Sequence, residues 1–213
     1  MRPTIQQERD FLFQAYFGGG RRNLELFVSR AYRDMNRTFR GVANVPEKHR
    51  SEILEGAKQA VIKSCNELQS RVVQSDIAQR RATFDEWHSQ SCKALIKHYH
   101  DKLDGYPDIH LTYGQAQKWV NMALKYCWVC GNGGFPLLDS WLMVAHVPVD
   151  NLILDKAVRE RAVAERPLGV WSQWTQDKYL KFQREIREFA EKQAMFPLEL
   201  EFDWWLEMAK TNA

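Results

Sequence analysis

Residues 113–130 read YGQAQKWVNMALKYCWVC, and the pattern within them decides the fold. Ala116, Trp119, Val120, Ala123, Leu124 and Cys127 recur at steps of three and four. That spacing stacks side chains along one face of an α-helix and does not fit the two-residue period of a strand. Lys118, Asn121 and Lys125 follow the same steps on a second, polar stripe. The segment predicts a long amphipathic helix, ended by the turn-rich GNGGFP at 131–136.

Working outward, helical spacing persists in both directions. Helices are predicted over 4–16, stopped by Gly18-Gly19-Gly20, and over 23–39, where Leu24, Phe27, Val28, Ala31, Met35 and Phe39 share a face. A longer stretch from Pro46 to Arg81 carries a narrow stripe: Ile53, Ala57, Ala60, Val61, Cys65, Leu68, Val72 and Val73. Thr83, with Glu86 three residues on, fits a capping box opening a helix to Lys102. Beyond the central helix, shorter helices are expected at 137–145, 151–164 and 174–194, with a last one after Pro197. With only 7 prolines, 11 glycines and few alternating β-branched runs, the chain reads as all-α. Its expected division is a basic N-terminal helical region, 1–82, and a Trp-rich helical core, 83–213.

Composition places further bounds. A chain of 213 residues with 45% hydrophobic and 27% charged residues buries a core without staples. All eight tryptophans follow residue 84. No apolar run is long enough to span a bilayer, and MRPTIQQERDF lacks the apolar stretch of a secretory signal. The four cysteines, Cys65, Cys92, Cys127 and Cys130, then read as reduced thiols, and the expected location is cytoplasmic. Cys127-Trp128-Val129-Cys130 is a lone C-x-x-C with no second ligand pair nearby, so neither a metal nor another cofactor is expected. The net charge of +3 hides an asymmetry: residues 1–100 hold 17 Lys/Arg against 11 Asp/Glu, and residues 101–213 hold 13 against 16. Six arginines crowd 21–40, among them Arg30, Arg33 and Arg37. Such a face suits a phosphate backbone, although charge runs are more often simply solvated.

The polar stripe of the central helix gains meaning from a second segment. Asp150 stands 32 residues after Lys118, in His146-Val147-Pro148-Val149-Asp150, at the start of a further helix. YGQAQKWVNMALKY followed by HVPVDNLIL resembles the helix-hairpin-helix DNA glycosylases, in particular the 8-oxoguanine glycosylase fold. In that family a Gly-led helix carries a catalytic Lys, and a Pro-Val-Asp-like segment opens a later helix. Lys118, four residues after Gly114, has the archaeal-like spacing, whereas the position two residues after the glycine is Ala116. The resemblance covers about 40 residues, 111–154. The same segment is also similar to bacterial and phage proteins that share a GQAQK helix, a following Pro–Asp segment and a Trp-rich tail.

The resemblance implies base excision in DNA repair. Cleaving an N-glycosidic bond develops positive charge on the sugar, which a carboxylate at Asp150 would stabilise, while the amine of Lys118 would attack as nucleophile. A target base held outside the stack needs aromatic faces, for which Trp87, Trp119 and Trp171 are the candidates. Gly114, Gln115 and Lys125 join the arginines as expected DNA contacts. Each residue also has a plain structural use: Lys118 as an ion-paired helix lysine, Asp150 as a helix N-cap, the tryptophans as core. Two readings therefore stand. One is a DNA glycosylase, with or without lyase activity. The other is a non-enzymatic module binding nucleic acid or a protein partner, for instance in phage–host defence or counter-defence. Whether the chain is an enzyme, and its oligomeric state, stay open at this level.

Overall fold

The computed structural model describes residues 4–19, 22–130 and 139–211. Within them Thr4 and Gln7 form a reciprocal capping box that starts α1 (Ile5–Phe17), and Gly18, in the left-handed conformation, ends it. Asn23 caps α2 (Leu24–Asn36), accepting from the Leu26 N–H. A 3-10 turn at Val42–Asn44 and Pro46 lead into α3 (Glu47–Ser70), followed by α4 (Ile77–Lys102) and α5 (Tyr113–Cys130). The remaining helices are α6 (Asp139–Leu142), α7 (Asn151–Arg159), α8 (Gln176–Lys192) and α9 (Pro197–Thr211), with a 3-10 turn at Trp171–Gln173 before α8. Among the described residues there is no strand, and no helix is long and apolar enough to cross a membrane. The chain is all-α, as the spacing predicts.

Several boundaries differ from the sequence reading, each for a local reason. The stretch 46–81 is not one helix: α3 stops at Ser70, Val72 is exposed, and Asp76 caps a new helix by accepting from the Gln79 N–H at 2.7 Å. Thr83 is therefore interior to α4 rather than its cap. Both Asp76 and Thr83 are competent caps, and the earlier one is used. The helix expected to reach 164 ends at Arg159, because Arg161 enters the left-handed region at φ 58°. The GNGGFP turn lies outside the described residues.

α5 is the axis of the molecule. Every residue from Tyr113 to Cys127 is buried, and the helix packs on α2, α4, α8 and the turn at 171–173. One apolar cluster runs from Phe13 on α1 to Trp204 on α9, and α4 passes through position 82–83 without a break. Bonds from α5 and α4 tie the basic region to the rest. Trp119 Nε1 donates to the Val28 carbonyl at 3.0 Å, Gln115 Nε2 to the Thr38 carbonyl at 2.7 Å, and Trp87 Nε1 to the Ser64 carbonyl at 2.8 Å. The two regions thus share one core.

Candidate functional site

A helix buried on every side must find partners for its polar residues, because an unpaired buried charge or amide is costly. The polar stripe of α5 finds most of them in distant segments, Asn121 Oδ1 being buried without one. Lys118 Nζ donates to Asp150 Oδ2 at 2.7 Å. Asn121 Nδ2 donates to the Tyr179 hydroxyl at 2.7 Å and to Gln117 Oε1 at 3.0 Å. Lys125 lies 2.6 Å from Glu201 Oε2 on α9 and donates to its Oε1 at 2.8 Å.

Asp150 is brought to Lys118 by an extended run, 144–149, that is fully buried and must still satisfy its backbone. Two glutamines do this. Gln183 accepts from Val147 N at 3.0 Å and donates to Val147 O at 2.8 Å. Gln117 does the same for Val149, at 3.3 Å in each direction. Pro148, between them, has no N–H to satisfy. The segment ends with Asp150 as the N-cap of α7, its Oδ1 accepting from Ile153 N at 3.0 Å while Oδ2 takes Lys118. Cap and ion partner are one side chain. Burial opposes its ionisation, but Lys118, the Ile153 amide and Lys125 outweigh that and hold it below the usual carboxylate value. At Glu201 burial wins instead, and the carboxyl is raised despite Lys125 and Lys118, with Asp150 pushing the same way. The two ion pairs thus act on one another within a single buried row.

The structure brings Lys118 and Asp150 together, with Lys118 buried and Asp150 partly open to solvent. Lys118's side chain is 7% exposed and that of Asp150 29%. One cavity of about 420 Å³ lies on α3 and another of about 520 Å³ beside α8, and neither is lined by the pair. Nor are Trp87, Trp119 and Trp171 stacking platforms: all three are core, and two have their N–H groups spent on backbone carbonyls. Trp205 is the half-exposed tryptophan, 5.5 Å from Lys125.

The expected DNA contacts separate in the same way. Arg33 and Arg37 are exposed on α2 and its C-terminal cap. Arg30 lies over the Tyr16 ring at 4.0 Å, with Asp34 3.7 Å away. Gly114, Gln115 and Lys125 are internal. The start of α5 is also occupied. Gln115 N donates to Thr112 Oγ1, Thr112 N donates to Gln115 Oε1, and Gly114 N donates to the Trp174 carbonyl at 3.1 Å. Those amides are not free to hold a phosphate.

Sequence reasoning missed a second cluster. His88 is fully buried on α4, with the Tyr113 hydroxyl 3.4 Å from Nδ1 and the Tyr179 hydroxyl 3.3 Å from Nε2. The His146 ring lies 4.6 Å away, centroid to centroid. His146 Nε2 bonds Asp85 at 2.8 Å, and Arg187 grips both oxygens of Asp85 at 2.7 and 3.0 Å. His88, four residues before Cys92 on the apolar face of α4, was the available signal. Among the described residues no group of three or more His, Cys, Asp or Glu is arranged to hold a metal, and all four cysteines are unbridged. No protein family matches the sequence, and no curated protein or solved structure is significantly similar to it.

Proposed function

We propose that the chain is a DNA-binding protein of the glycosylase type in which Lys118 and Asp150 carry base excision. The observation behind this is their contact: two side chains 32 positions apart meet at 2.7 Å, with the carboxylate on a helix N-cap. In this reading Asp150 stabilises positive charge on the deoxyribose as the glycosidic bond breaks. Lys118 first gives up a proton to water, then its lone pair forms a bond to C1′ while the base departs with the electrons of the old one and takes up a proton from water. Because Lys118 is nearly closed off, the sugar reaches it only after the surrounding helices part. Borohydride trapping on duplexes carrying a panel of base lesions tests the idea. A covalent protein–DNA crosslink is expected from the wild type and none from Lys118→Gln. Absence of both crosslink and base release across the panel would sink the catalytic reading.

A specific observation favours the second reading, a binding module without chemistry. Lys118 donates to a carboxylate, the three candidate tryptophans are buried, and only Arg33 and Arg37 of the named arginines stand free of the core. Replacing both by Gln is expected to weaken binding to duplex DNA and to flatten the slope of log affinity against log salt by about 2, one released counterion for each lost phosphate contact. Arg30 is left intact in this test because it braces Tyr16. An unchanged slope would mark this face as solvated surface.

A further inference from the structure

The cavity of about 520 Å³ lies where the first turns of α4 meet the corner between α8 and α9. Its wall combines two kinds of residue. Met143, Met195 and Phe196 supply apolar, deformable surface, and Arg81, Arg187 and Glu191 supply charge. Each arginine has one unmatched N–H, Nε of Arg81 and Nε of Arg187, and both atoms are closed off from solvent while Glu191 is in place. Arg187 is more than nine-tenths buried, and its other nitrogens are spent on Asp85 and the Val144 carbonyl. Arg81 is paired to Glu191, whose side chain is half exposed.

An unmatched buried N–H costs stability, and it is repaid only by an acceptor that reaches it. We propose that this cavity binds a small amphipathic carboxylate, with its head at Arg81 and Arg187 in place of Glu191 and its apolar body against Met143, Met195 and Phe196. The volume falls in the range of small-molecule sites. Charge selects the head group. Asp85 and Glu191 already balance the two arginines, so exchanging Glu191 for another single carboxylate preserves neutrality, whereas a doubly charged phosphate would not. Burial and repulsion from Arg187 both disfavour the charge on Arg81, with Asp85 opposing them, so Arg81 has reason to keep an anion close. Glu191 acts as the tethered occupant that a free ligand displaces.

Calorimetric titration of the full chain with octanoate tests this, with 1-octanol as the uncharged counterpart. Saturable octanoate binding is expected, with octanol weaker by about tenfold or more, as losing a charge-assisted hydrogen bond requires. Glu191→Gln removes the tethered competitor and should tighten octanoate binding. Arg81→Met should weaken it by about tenfold. Arg187 is not substituted, because it also braces Asp85 and the 144–149 run. The proposal is overturned if neither the wild type nor Glu191→Gln binds octanoate saturably, if octanol binds as well as octanoate, or if both variants bind like the wild type.

Discussion

Gly114→Ala is expected to destabilise the protein by about 3 kcal/mol or more, the upper range for forcing atoms into a filled site. Gly114 does not need left-handed backbone; it needs the absence of a side chain. A Cβ there would collide with the Trp171 carbonyl oxygen and lie 2.9 Å from the Ser172 carbonyl carbon and 3.1 Å from its Cα. These are backbone atoms, so no rotamer change relieves the overlap. The first turn of α5 and the turn at 171–173 would have to separate, breaking the bond from Gly114 N to Trp174 O and the one from the Thr112 hydroxyl to Ser172 O. Gly105→Ala is the control, because a Cβ at Gly105 meets nothing within 4 Å. Urea unfolding of the two variants should show the first far below the wild type and the second within about 0.5 kcal/mol of it. A Gly114→Ala protein as stable as the control would mean the two segments do not approach this closely. The result also bears on the glycosylase resemblance, since it assigns the glycine at the head of the helix to packing rather than to phosphate contact.

The period of α5 was legible in the sequence, and so was the separation of its apolar and polar stripes. The fate of the polar stripe was not. On a helix at the surface, Lys118, Asn121 and Lys125 would be solvated; here they are internal because Asp150, Tyr179 and Glu201 arrive from segments 32, 58 and 76 residues away. Spacing within a helix records which residues share a face, but not what will cover it. The one pairing that could be expected, Lys118 with Asp150, depended on a resemblance in two short segments rather than on periodicity. Gln117 and Gln183 were opaque for the same reason: a glutamine that clamps an extended run looks, in sequence, like one pointing into water. The start of α4 was obscured differently, by two competent caps seven residues apart. The tryptophans marked only part of the aromatic core, since Phe13, Phe17, Phe27 and Phe39 bury rings in the N-terminal region too, and they did not mark which ring would stay partly exposed.

Acidification from pH 6.5 to about 4 is expected to remove about 3 kcal/mol of stability through His146 alone. Its contact with Asp85 resembles an ion pair, yet burial and the charge of Arg187 outweigh Asp85 and hold the imidazole down to about 4. The hydrogen bonding supports a neutral ring. Nε2–H donates to Asp85, and Nδ1 is buried with no partner, so a second proton would sit there without an acceptor. In the unfolded chain the same ring takes its proton near 6.5. Between the two values the unfolded state binds the proton and the native state does not. The contribution is therefore complete above pH 6.5, falls as pH falls, and stops changing below about 4. His88, held well below its ordinary value first by burial and then by His146, adds loss in the same direction. Asp85 acts in a separate, lower window. Burial works against its ionisation, but the bonds from His146 and Arg187 prevail, so its stabilisation is lost only below the ordinary carboxylate value of 3.8. Stability measured by urea unfolding at steps of pH should thus show a slope approaching about 1.4 kcal/mol per pH unit for each buried imidazole, offset in part by Glu201, whose raised carboxyl takes up its proton in the native state first. His146→Gln keeps a donor for Asp85 and removes the titration, so its slope between pH 6.5 and 4 should be shallower by one proton. If the variant and the wild type lose stability in parallel across that range, His146 is not buried neutral and the cluster is an ordinary ion pair.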